Sequence, residues 1–396
     1  MSLLERCKDF TEAKQVMAMG VYPYFTEISS QQDTEVIISG KKVLMLGSNS
    51  YLGLTVHPKV KEAAIKAVEK YGTGNAGSRF LNGSLDLHRK LEEKLAEFVN
   101  KESAMVFSTG FQSNLGCIPT ITRRGDYIIL DKADHASIID AATLSQACVR
   151  SYKHNDMEHL ERHLKLIRDK FPSAGVLVVV DGVFSMDGDL VNLPEVVRLC
   201  EKYDAAIMVD DAHGIGVVGN GGRGTASHFG LDDKVDIIMG TFSKSLASLG
   251  GFIAADEEVI HYLKHFARPF IFSASIPPAS AAATLAALEV MQEEPELIDR
   301  LWENTRHIHE GFKEMGYDTG VSETPIIPLH IGEAMTVFKM RKMLLDEGVF
   351  VNPVVPPAVP EGDCLIRVSL MATHTPEQID FALEKFYKVG KALGVI

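Results

Sequence analysis

Short, continuous apolar runs alternate with stretches of helical periodicity along the middle of the chain, and this alternation restricts the fold more than any other feature. The runs "SAMVFS", "DYIILD", "GVLVVVDG", "AAIMVDD" and "VDIIMG" are typical of strands buried on both faces. Stretches such as "HPKVKEAAIKAVEKYG" and "LDLHRKLEEKLAEFVN" have the spacing of amphipathic helices. The pattern predicts an α/β fold, in which a large, mostly parallel sheet carries helices on both faces.

Two smaller units flank this predicted sheet. We assign residues 1–54 to an N-terminal arm with a small strand segment, 55–280 to the large α/β domain and 281–396 to a C-terminal α+β domain. In the last unit a helical stretch (281–316) precedes "TPIIPLHIG", "GVFVNPVV" and "CLIRVSL", which predict a small sheet closed by the helix "TPEQIDFALEKFYKVGKAL". Residues 3–19 predict an amphipathic arm. Because its polar face is mixed in charge, we expect the arm to dock on protein, with peripheral contact at the inner membrane face as the alternative.

Charge and composition exclude several classes of protein. The net charge of −13 argues against a nucleic-acid-binding protein, which needs a basic surface. The five cysteines are scattered without CxxC spacing, so we expect a reducing compartment and neither disulfides nor a zinc site. Residues 1–25 carry too many charges for a signal peptide, and no apolar run approaches the ~18 residues of a membrane span. These features predict a soluble cytoplasmic protein.

Two further patterns suggest other kinds of site, but their context argues against both. "GIGVVG" matches the dinucleotide-binding pattern, yet "DDAH" precedes it and "NGGRG" follows, which is typical of a loop. In "HNDMEHLERHLK", His154, His159 and His163 suggest a metal site. Only His159 and His163 share a helix face, and no third ligand is evident. We interpret all three as part of a solvated helix face and expect no metal.

Polar and charged residues follow two neighbouring strands. "VDDAHG" places Asp210 and His213 at the carboxyl end of the strand "AAIMV", where open α/β sheets bind their ligands. The next strand, "VDIIMG", leads into "TFSKS", in which Thr241 and Ser243 flank Lys244. A lysine held among small residues is either a phosphate ligand or an amine kept neutral enough to react. With a carboxylate on the same rim, it suits pyridoxal 5'-phosphate (PLP), whose ring nitrogen the carboxylate keeps protonated while the lysine forms the Schiff base.

An anion site and a stacking residue fit the same cofactor. "FSTGFQSN" follows the strand "SAMVF" and leads into a helix, so the backbone N–H groups of Gly110 and Phe111 can face a phosphate, with the hydroxyls of Thr241 and Ser243. "DHASIID" places His135 after "DYIIL", where it can stack on a cofactor ring. Considered singly, "STGF" is an ordinary capped turn and His135 a structural histidine; their value lies in occurring together.

These segments, together with "VYPYF", "LGSNSYLGL", "GSRFLNGSLDLHRKLE", "DGVFSMDGD", "FSASIPP" and "RVSLMATHT", resemble the α-oxoamine synthase family of fold-type I PLP enzymes over nearly the whole chain. That family condenses a small amino acid with an acyl-CoA and releases CO2. The resemblance implies that Lys244 is the Schiff-base lysine, Asp210 the partner of the pyridinium nitrogen and His213 the ligand of the phenolic oxygen. It implies an obligate homodimer with shared active sites. It implies that His135 stacks on the cofactor and takes part in catalysis, and that Arg367 and Asn49 bind the substrate carboxylate. The other cofactor contacts that it implies are Gly110, Phe111, Thr241, Ser243, Ser185 and, from the neighbouring subunit, Ser273 or Ser275.

Two segments favour one reaction within the family. "TFSKS" and "PPAVPEGDCLIR", with Leu365 where several relatives have arginine, resemble the members that condense L-serine with palmitoyl-CoA to 3-oxosphinganine, the first step of sphingolipid biosynthesis. "HTPEQI" and "LGVI" keep open a glycine C-acetyltransferase, which makes 2-amino-3-oxobutyrate. A catalytically inactive partner subunit is a third reading, against which Lys244, Asp210 and both histidines argue. The chain departs from the family at Asp211, where a glutamate is usual.

Overall fold

The computed structural model of the protein describes residues 3–396. The strands over this range are β1 (Glu35–Ile38), β2 (Lys41–Met45), β3 (Ser103–Phe107), β4 (Tyr127–Asp131), β5 (Cys148–Tyr152), β6 (Val176–Asp181), β7 (Ala206–Asp210), β8 (Ile237–Thr241), β9 (Gly251–Ala255), β10 (Ile326–Gly332), β11 (Val349–Phe350), β12 (Asn352–Val354) and β13 (Cys364–Ser369). The α-helices are α1 (Glu5–Lys8), α2 (Glu12–Ala18), α3 (Pro58–Tyr71), α4 (Asp86–Phe98), α5 (Gly110–Ile121), α6 (Ala136–Leu144), α7 (Met157–Lys170), α8 (Leu193–Lys202), α9 (Thr225–His228), α10 (Glu257–Phe266), α11 (Arg268–Ile271), α12 (Pro278–Glu293), α13 (Glu296–Met315), α14 (Ala334–Asp346) and α15 (Pro376–Leu393). Single 3₁₀ turns span Leu54–Val56 and Asn220–Gly222.

A sheet of seven strands, in the order β3-β9-β8-β7-β6-β4-β5, forms the centre of the described chain. Strands β8, β7, β6, β4 and β5 pair in parallel, whereas β9 is antiparallel to both β8 and β3. The mostly parallel sheet is therefore confirmed. The sequence did not predict β5 and β9. Strand β5 lies at the edge and buries only Tyr152, so it lacks an apolar run, and β9 is a short "GFIAA" segment directly after the lysine loop.

Both faces of this sheet are covered, because alternate residues of each strand pack against helices on opposite sides. In β6, Val178 and Val180 join one buried cluster with α4, α7, α8 and α12, while Leu177 and Val179 join another with α5, α6 and α10. All six residues of β6 are buried. A strand buried on both faces has to be apolar throughout, and polar groups are therefore left to the loops at its carboxyl end.

The C-terminal part of the chain forms a second, smaller sheet, β10-β13-β12, which is antiparallel. The segment "GVFVNPVV", predicted as one strand, divides between two sheets. Val349–Phe350 pairs in parallel with β2 in the sheet β1-β2-β11, and Asn352–Val354 pairs with β13. The predicted helical stretch 281–316 divides into α12 and α13 around Pro295. The division of the chain at residues 54 and 280 stays a prediction.

The N-terminal arm forms the short helices α1 and α2, neither of which buries a residue in the single chain. Leu3 is 74% and Phe10 61% exposed. Over residues 3–396, helices that combine the length and the apolar character needed to cross a bilayer are absent. The "GIGVVG" segment forms a loop between β7 and the 3₁₀ turn, as its context predicts.

Candidate active site

A cavity of about 240 Å³ opens at the carboxyl ends of β4, β6, β7 and β8. Parallel strands bring their carboxyl ends to one edge of a sheet, so residues far apart in the sequence meet there. The cavity collects nine of the residues that the sequence analysis selected: Gly110, Phe111, His135, Ser185, Asp210, His213, Thr241, Ser243 and Lys244. Their catalytic and binding roles stay predictions.

Asp210 ends β7 and is only 4% exposed. Asn114 Nδ2 donates to its Oδ2 at 2.8 Å, and the backbone N–H of Ala212 donates to its Oδ1 at 3.1 Å. Donors on both oxygens stabilise the charged carboxylate. Asn114 was not among the predicted site residues, although a polar residue one turn into an apolar helix is a signal of a buried polar contact. The amide also donates to Ser137 Oγ at 2.8 Å, which fixes its orientation.

Lys244 lies in the loop after β8 and is half-buried. Burial lowers the pKa of its amine to about 8, against the charges of Asp210 and Asp181, which raise it. The charge of Arg367 adds to the lowering. A fraction of the amine is therefore neutral near pH 7, as a nucleophilic or basic lysine requires.

The anion cradle forms where β3 passes into α5. Thr109 caps the helix by accepting a hydrogen bond from the N–H of Gln112 at 3.1 Å, which leaves the N–H groups of Gly110 and Phe111 directed at the cavity end. Thr241 Oγ1 and Ser243 Oγ lie 3.1 Å apart beside it. A Cβ at Gly110 would meet Thr241 Oγ1 at 2.8 Å, so only glycine leaves this space open. The cradle and its donors fit the phosphate of PLP.

His135 is held at the start of α6 by backbone and side-chain hydrogen bonds. Its N–H donates to Asp181 Oδ2 at 3.0 Å, and its Nδ1 lies 2.8 Å from Ser137 Oγ. Burial lowers the pKa of His135, with Asp210 opposing and Lys244 assisting. The imidazole thus enters the cavity as a neutral ring, which suits stacking. Asp181 was missed by the sequence analysis, although it follows the strand "GVLVVV" as Asp210 follows "AAIMV".

His213 has a partner that the sequence did not reveal. Tyr51, fully buried, places its hydroxyl 2.7 Å from His213 Nδ1. Burial lowers the pKa of His213 well below its usual range, and the positive charges of Lys244 and Arg367 act in the same direction. The ring is neutral, and Tyr51 fixes its orientation.

Arg367 lies outside the residues that line the cavity but is joined to one of them. Its Nε donates to the backbone oxygen of Ser185 at 2.6 Å. One terminal nitrogen donates to Asn49 Oδ1 at 3.0 Å and to Ser369 Oγ at 2.8 Å. These bonds immobilise the guanidinium beside the cavity, because Ser185 is part of its lining.

Two predicted serines do not line the cavity within this chain. Ser273 Oγ accepts from Gln112 Nε2 at 3.4 Å, and Ser275 Oγ donates to the carbonyl of Gly83 at 2.7 Å.

Asp211, the departure from the family pattern, accepts hydrogen bonds from the backbone N–H and the hydroxyl of Thr225, both at 2.6 Å. Burial raises its pKa to about 6, and the hydrogen bonds from Thr225 oppose the rise.

The prediction that His154 lies on a solvated helix face is wrong. Helix α7 begins only at Met157, and His154 precedes it in an ion-paired position, with Nδ1 3.0 Å from Asp131 and Nε2 3.0 Å from Asp189. His159 and His163 do share a face of α7, with ring centroids 4.7 Å apart. His154 lies outside the helix because α7 begins three residues later, after its N-cap Asp156.

Comparisons with known proteins identify the family to which this chain belongs. The model of the aminotransferase class I and II family matches residues 41–386. A serine palmitoyltransferase of Sphingobacterium spiritivorum is 58% identical over 390 residues, 98% of this chain and 97% of that protein. An 8-amino-7-oxononanoate synthase of Thermoanaerobacter pseudethanolicus is 45% identical over 390 residues, 98% of each chain.

A solved structure of a serine palmitoyltransferase, described with its PLP internal aldimine, superimposes with a TM-score of 0.96. It is 36% identical, and the match covers 100% of both chains. The large sheet, the small C-terminal sheet and the connections between them therefore follow the fold of a PLP enzyme along the whole length. The chain belongs to the aminotransferase class I and II family and, within it, to the α-oxoamine synthases of fold type I, the group that includes the serine palmitoyltransferases.

Proposed function

We propose that this protein is a PLP-dependent enzyme that condenses L-serine with palmitoyl-CoA, giving 3-oxosphinganine, CoA and CO2. The observation that carries the proposal is the meeting of Lys244, Asp210, His135 and His213 around one cavity. The 58% identity to a serine palmitoyltransferase over nearly the whole chain supports the choice of reaction. A catalytically inactive subunit would not need to keep this set, nor a lysine whose pKa is lowered to about 8.

PLP, when bound, supplies an electron sink for the negative charge that develops at the substrate α-carbon. The N–H groups of Gly110 and Phe111, with the hydroxyls of Thr241 and Ser243, would hold its phosphate, and Lys244 would bind its aldehyde carbon. Asp210, whose two oxygens accept from Asn114 and from the N–H of Ala212, would hold a proton at the ring nitrogen.

Arg367 binds the carboxylate of serine and thereby sets the direction of the α-hydrogen. A guanidinium already bound to Ser185 and Asn49 keeps its position when the substrate arrives, which lowers the entropy cost of orientation. Lys244 Nζ would be the base that takes the α-proton of the substrate. Its lowered pKa leaves part of the amine neutral at pH 7.

The acyl donor is chosen by apolar burial. Phe111 and Leu249 line the cavity and stay 41% and 53% exposed, so apolar surface is available at its mouth. Each buried methylene contributes roughly 0.8 kcal/mol, so a chain laid along such surface favours palmitoyl-CoA over acetyl-CoA. A second candidate function is the condensation of another amino acid with another acyl donor, which the 45% identity to an 8-amino-7-oxononanoate synthase supports. The specific alternative from the sequence is the reaction of glycine with acetyl-CoA.

The test is CoA release by the purified protein with L-serine, glycine or L-alanine against palmitoyl-CoA and acetyl-CoA. We expect serine with palmitoyl-CoA to give the highest kcat/KM. Lys244→Ala should abolish turnover, whereas Lys234→Ala, which removes an exposed lysine paired with Glu201, should not. A higher kcat/KM for glycine with acetyl-CoA would replace the reaction and leave the cofactor site as argued.

The assembly we propose is a homodimer with shared active sites. Phe272, which directly precedes Ser273, is 73% exposed, and Leu81, two residues before the Gly83 carbonyl that accepts from Ser275, is 77% exposed. A second subunit would cover this apolar surface. One of the two serines then reaches the phosphate of the partner's cofactor. A monomer that sediments alone at assay concentration and turns over would contradict the dimer.

The arm and the compartment complete the proposal. The enzyme is cytoplasmic, and its exposed N-terminal arm docks on protein within the dimer. Contact of the arm with the inner membrane face is the alternative. Flotation with anionic vesicles, compared between the full chain and a chain lacking residues 1–19, separates the two: co-flotation that requires the arm supports membrane contact, and its absence supports docking on protein.

A further inference from the structure

His154 lies between two loops that border the active-site cavity, on the side away from Lys244. Its Nδ1 is 3.0 Å from Asp131 Oδ1, at the end of β4, and its Nε2 is 3.0 Å from Asp189 Oδ2, in the loop after β6. Ionised carboxylate oxygens only accept hydrogen bonds, so both ring nitrogens have to donate. The two contacts fit a doubly protonated, cationic imidazolium.

The surroundings of His154 support this charge. Burial by itself would lower its pKa, but hydrogen bonds to Asp131 and Asp189 and their charges outweigh burial and raise the pKa to about 10. Asp187 lies close to this pair: one possible metal-ligand atom from each of His154, Asp187 and Asp189 lies within 4.8 Å of the other two. A metal ion at this group would have to displace a proton from His154, which the raised pKa of about 10 opposes. The other titratable groups that line the adjoining cavity of about 410 Å³ are Lys132, His330 and Asp363.

Asp189 belongs to a small hairpin, residues 183–190, closed by an antiparallel bridge between Val183 and Leu190. Within it the N–H of Phe184 donates to the carbonyl of Asp189 at 3.0 Å. The His154 ring packs edge-on against the buried ring of Phe184, at 4.4 Å between centroids and 82°. His154 therefore holds the 183–190 hairpin by an ion pair and by a ring contact.

This hairpin is the one that carries Ser185, whose backbone oxygen accepts from Arg367 Nε at 2.6 Å. The other anchor, Asp131, belongs to the loop that leads to His135, and its N–H donates to Asp134 Oδ2 at 2.9 Å. His154 thus joins the loop before His135 to the hairpin that positions Arg367. His135 and Ser185, carried by these two segments, both line the active-site cavity.

We propose that His154 is a positioning residue for the substrate carboxylate: its imidazolium holds the 183–190 hairpin at the distance from β4 at which Ser185 orients Arg367. The proposal rests on the proposed function for the identity of the substrate, but not for the position of the hairpin. Loss of the ion pair should loosen the hairpin and the arginine together, while Asp210 and Lys244, on β7 and after β8, keep the cofactor in place.

Hydrogen–deuterium exchange measured by mass spectrometry on the PLP-loaded enzyme tests the hairpin directly. We expect faster exchange over residues 183–190 in His154→Ala and in Asp189→Asn, which keeps the size of the side chain and removes only its charge. The matched control is His307→Ala, which removes an exposed pair with Asp380 at 2.9 Å on α13 and α15. Exchange as slow as in the wild type in both test variants would overturn the proposal, whether or not the protein condenses serine.

Steady-state kinetics test the consequence for Arg367. In both test variants the KM for L-serine should rise about tenfold, which corresponds to about 1.4 kcal/mol, with PLP content unchanged and a smaller fall in kcat. Added imidazole should restore part of the lost affinity in His154→Ala, because the gap opens on a solvent-accessible cavity, and should do nothing for Asp189→Asn. Faster exchange of the hairpin with an unchanged KM would overturn the link to Arg367. A wild type without activity towards serine would count against the proposed function, and the exchange measurement would still decide the role of His154.

Discussion

Replacing Asp210 with asparagine isolates the negative charge at the end of β7 from the shape of the site. The new amide can keep its oxygen on the N–H of Ala212 and turn its NH2 group towards Asn114. Asn114 can then present its Oδ1, a buried oxygen that has no hydrogen-bond partner in the described chain, by turning its own amide over. Ser137 can donate its hydroxyl proton to the same oxygen. We therefore expect a free energy of unfolding within about 1 kcal/mol of the wild type.

The chemistry should suffer far more than the stability. A hydrogen bond to a charged group contributes about 1.5–3 kcal/mol, and each 1.36 kcal/mol of barrier is a factor of about ten in rate. Removing the charge at residue 210 should therefore slow removal of the α-proton by roughly one to two orders of magnitude. Since the charge of Asp210 raises the pKa of Lys244, the pKa of that amine should also fall below about 8.

Exchange of the serine α-proton with deuterium, followed by NMR, measures this step without the acyl donor. The matched control is Asp236→Asn, an exposed aspartate at the opposite edge of the sheet, whose Oδ2 accepts from the N–H of Ile207 at 2.7 Å. We expect slow exchange in Asp210→Asn and wild-type exchange in Asp236→Asn, with equal thermal stability. Wild-type exchange in Asp210→Asn would refute the role given to this carboxylate.

Three other predictions follow from the geometry. Gly110→Ala should weaken PLP binding at least tenfold without unfolding the protein, because its Cβ would lie 2.8 Å from Thr241 Oγ1; equilibrium dialysis of PLP measures this. In the PLP-free protein, labelling of Lys244 by an amine reagent should be half-maximal near pH 8, well before the surface lysines, as peptide mapping would show. The folded-state pKa of His154, about 10, lies above its ordinary value of 6.5, so its contribution to stability is complete below pH 6.5 and is lost as the pH rises through 10. In urea titrations the stability difference between wild type and His154→Ala should therefore shrink as the pH rises through 10, and the part due to the ring contact with Phe184 should remain.

The sequence by itself determined the large sheet and the residues at its carboxyl edge. Strands buried on both faces have to be apolar throughout, so "GVLVVVDG" and "AAIMVDD" were recognisable without a structure. In a parallel sheet the residue after such a run faces the ligand edge, which is why Asp210 and Lys244 could be placed in one site. Local chemistry also identified Gly110, because a glycine between a strand and a helix marks an anion cradle.

Only the tertiary structure decided the contacts between segments that carry no pattern of their own. Strand β9 completes the sheet by pairing with β3, nearly 150 positions earlier in the chain, and its short "GFIAA" run does not reveal that partner. Tyr51 and His213, which are 162 positions apart in the sequence, meet only in the folded chain. His154 was expected on the solvated face of a helix. In the folded chain it lies instead between Asp131 and Asp189, two carboxylates that the pairing of β4 with β6 brings close together. Periodicity reports which face of an element is buried; it carries no information about which distant carboxylate that face will meet.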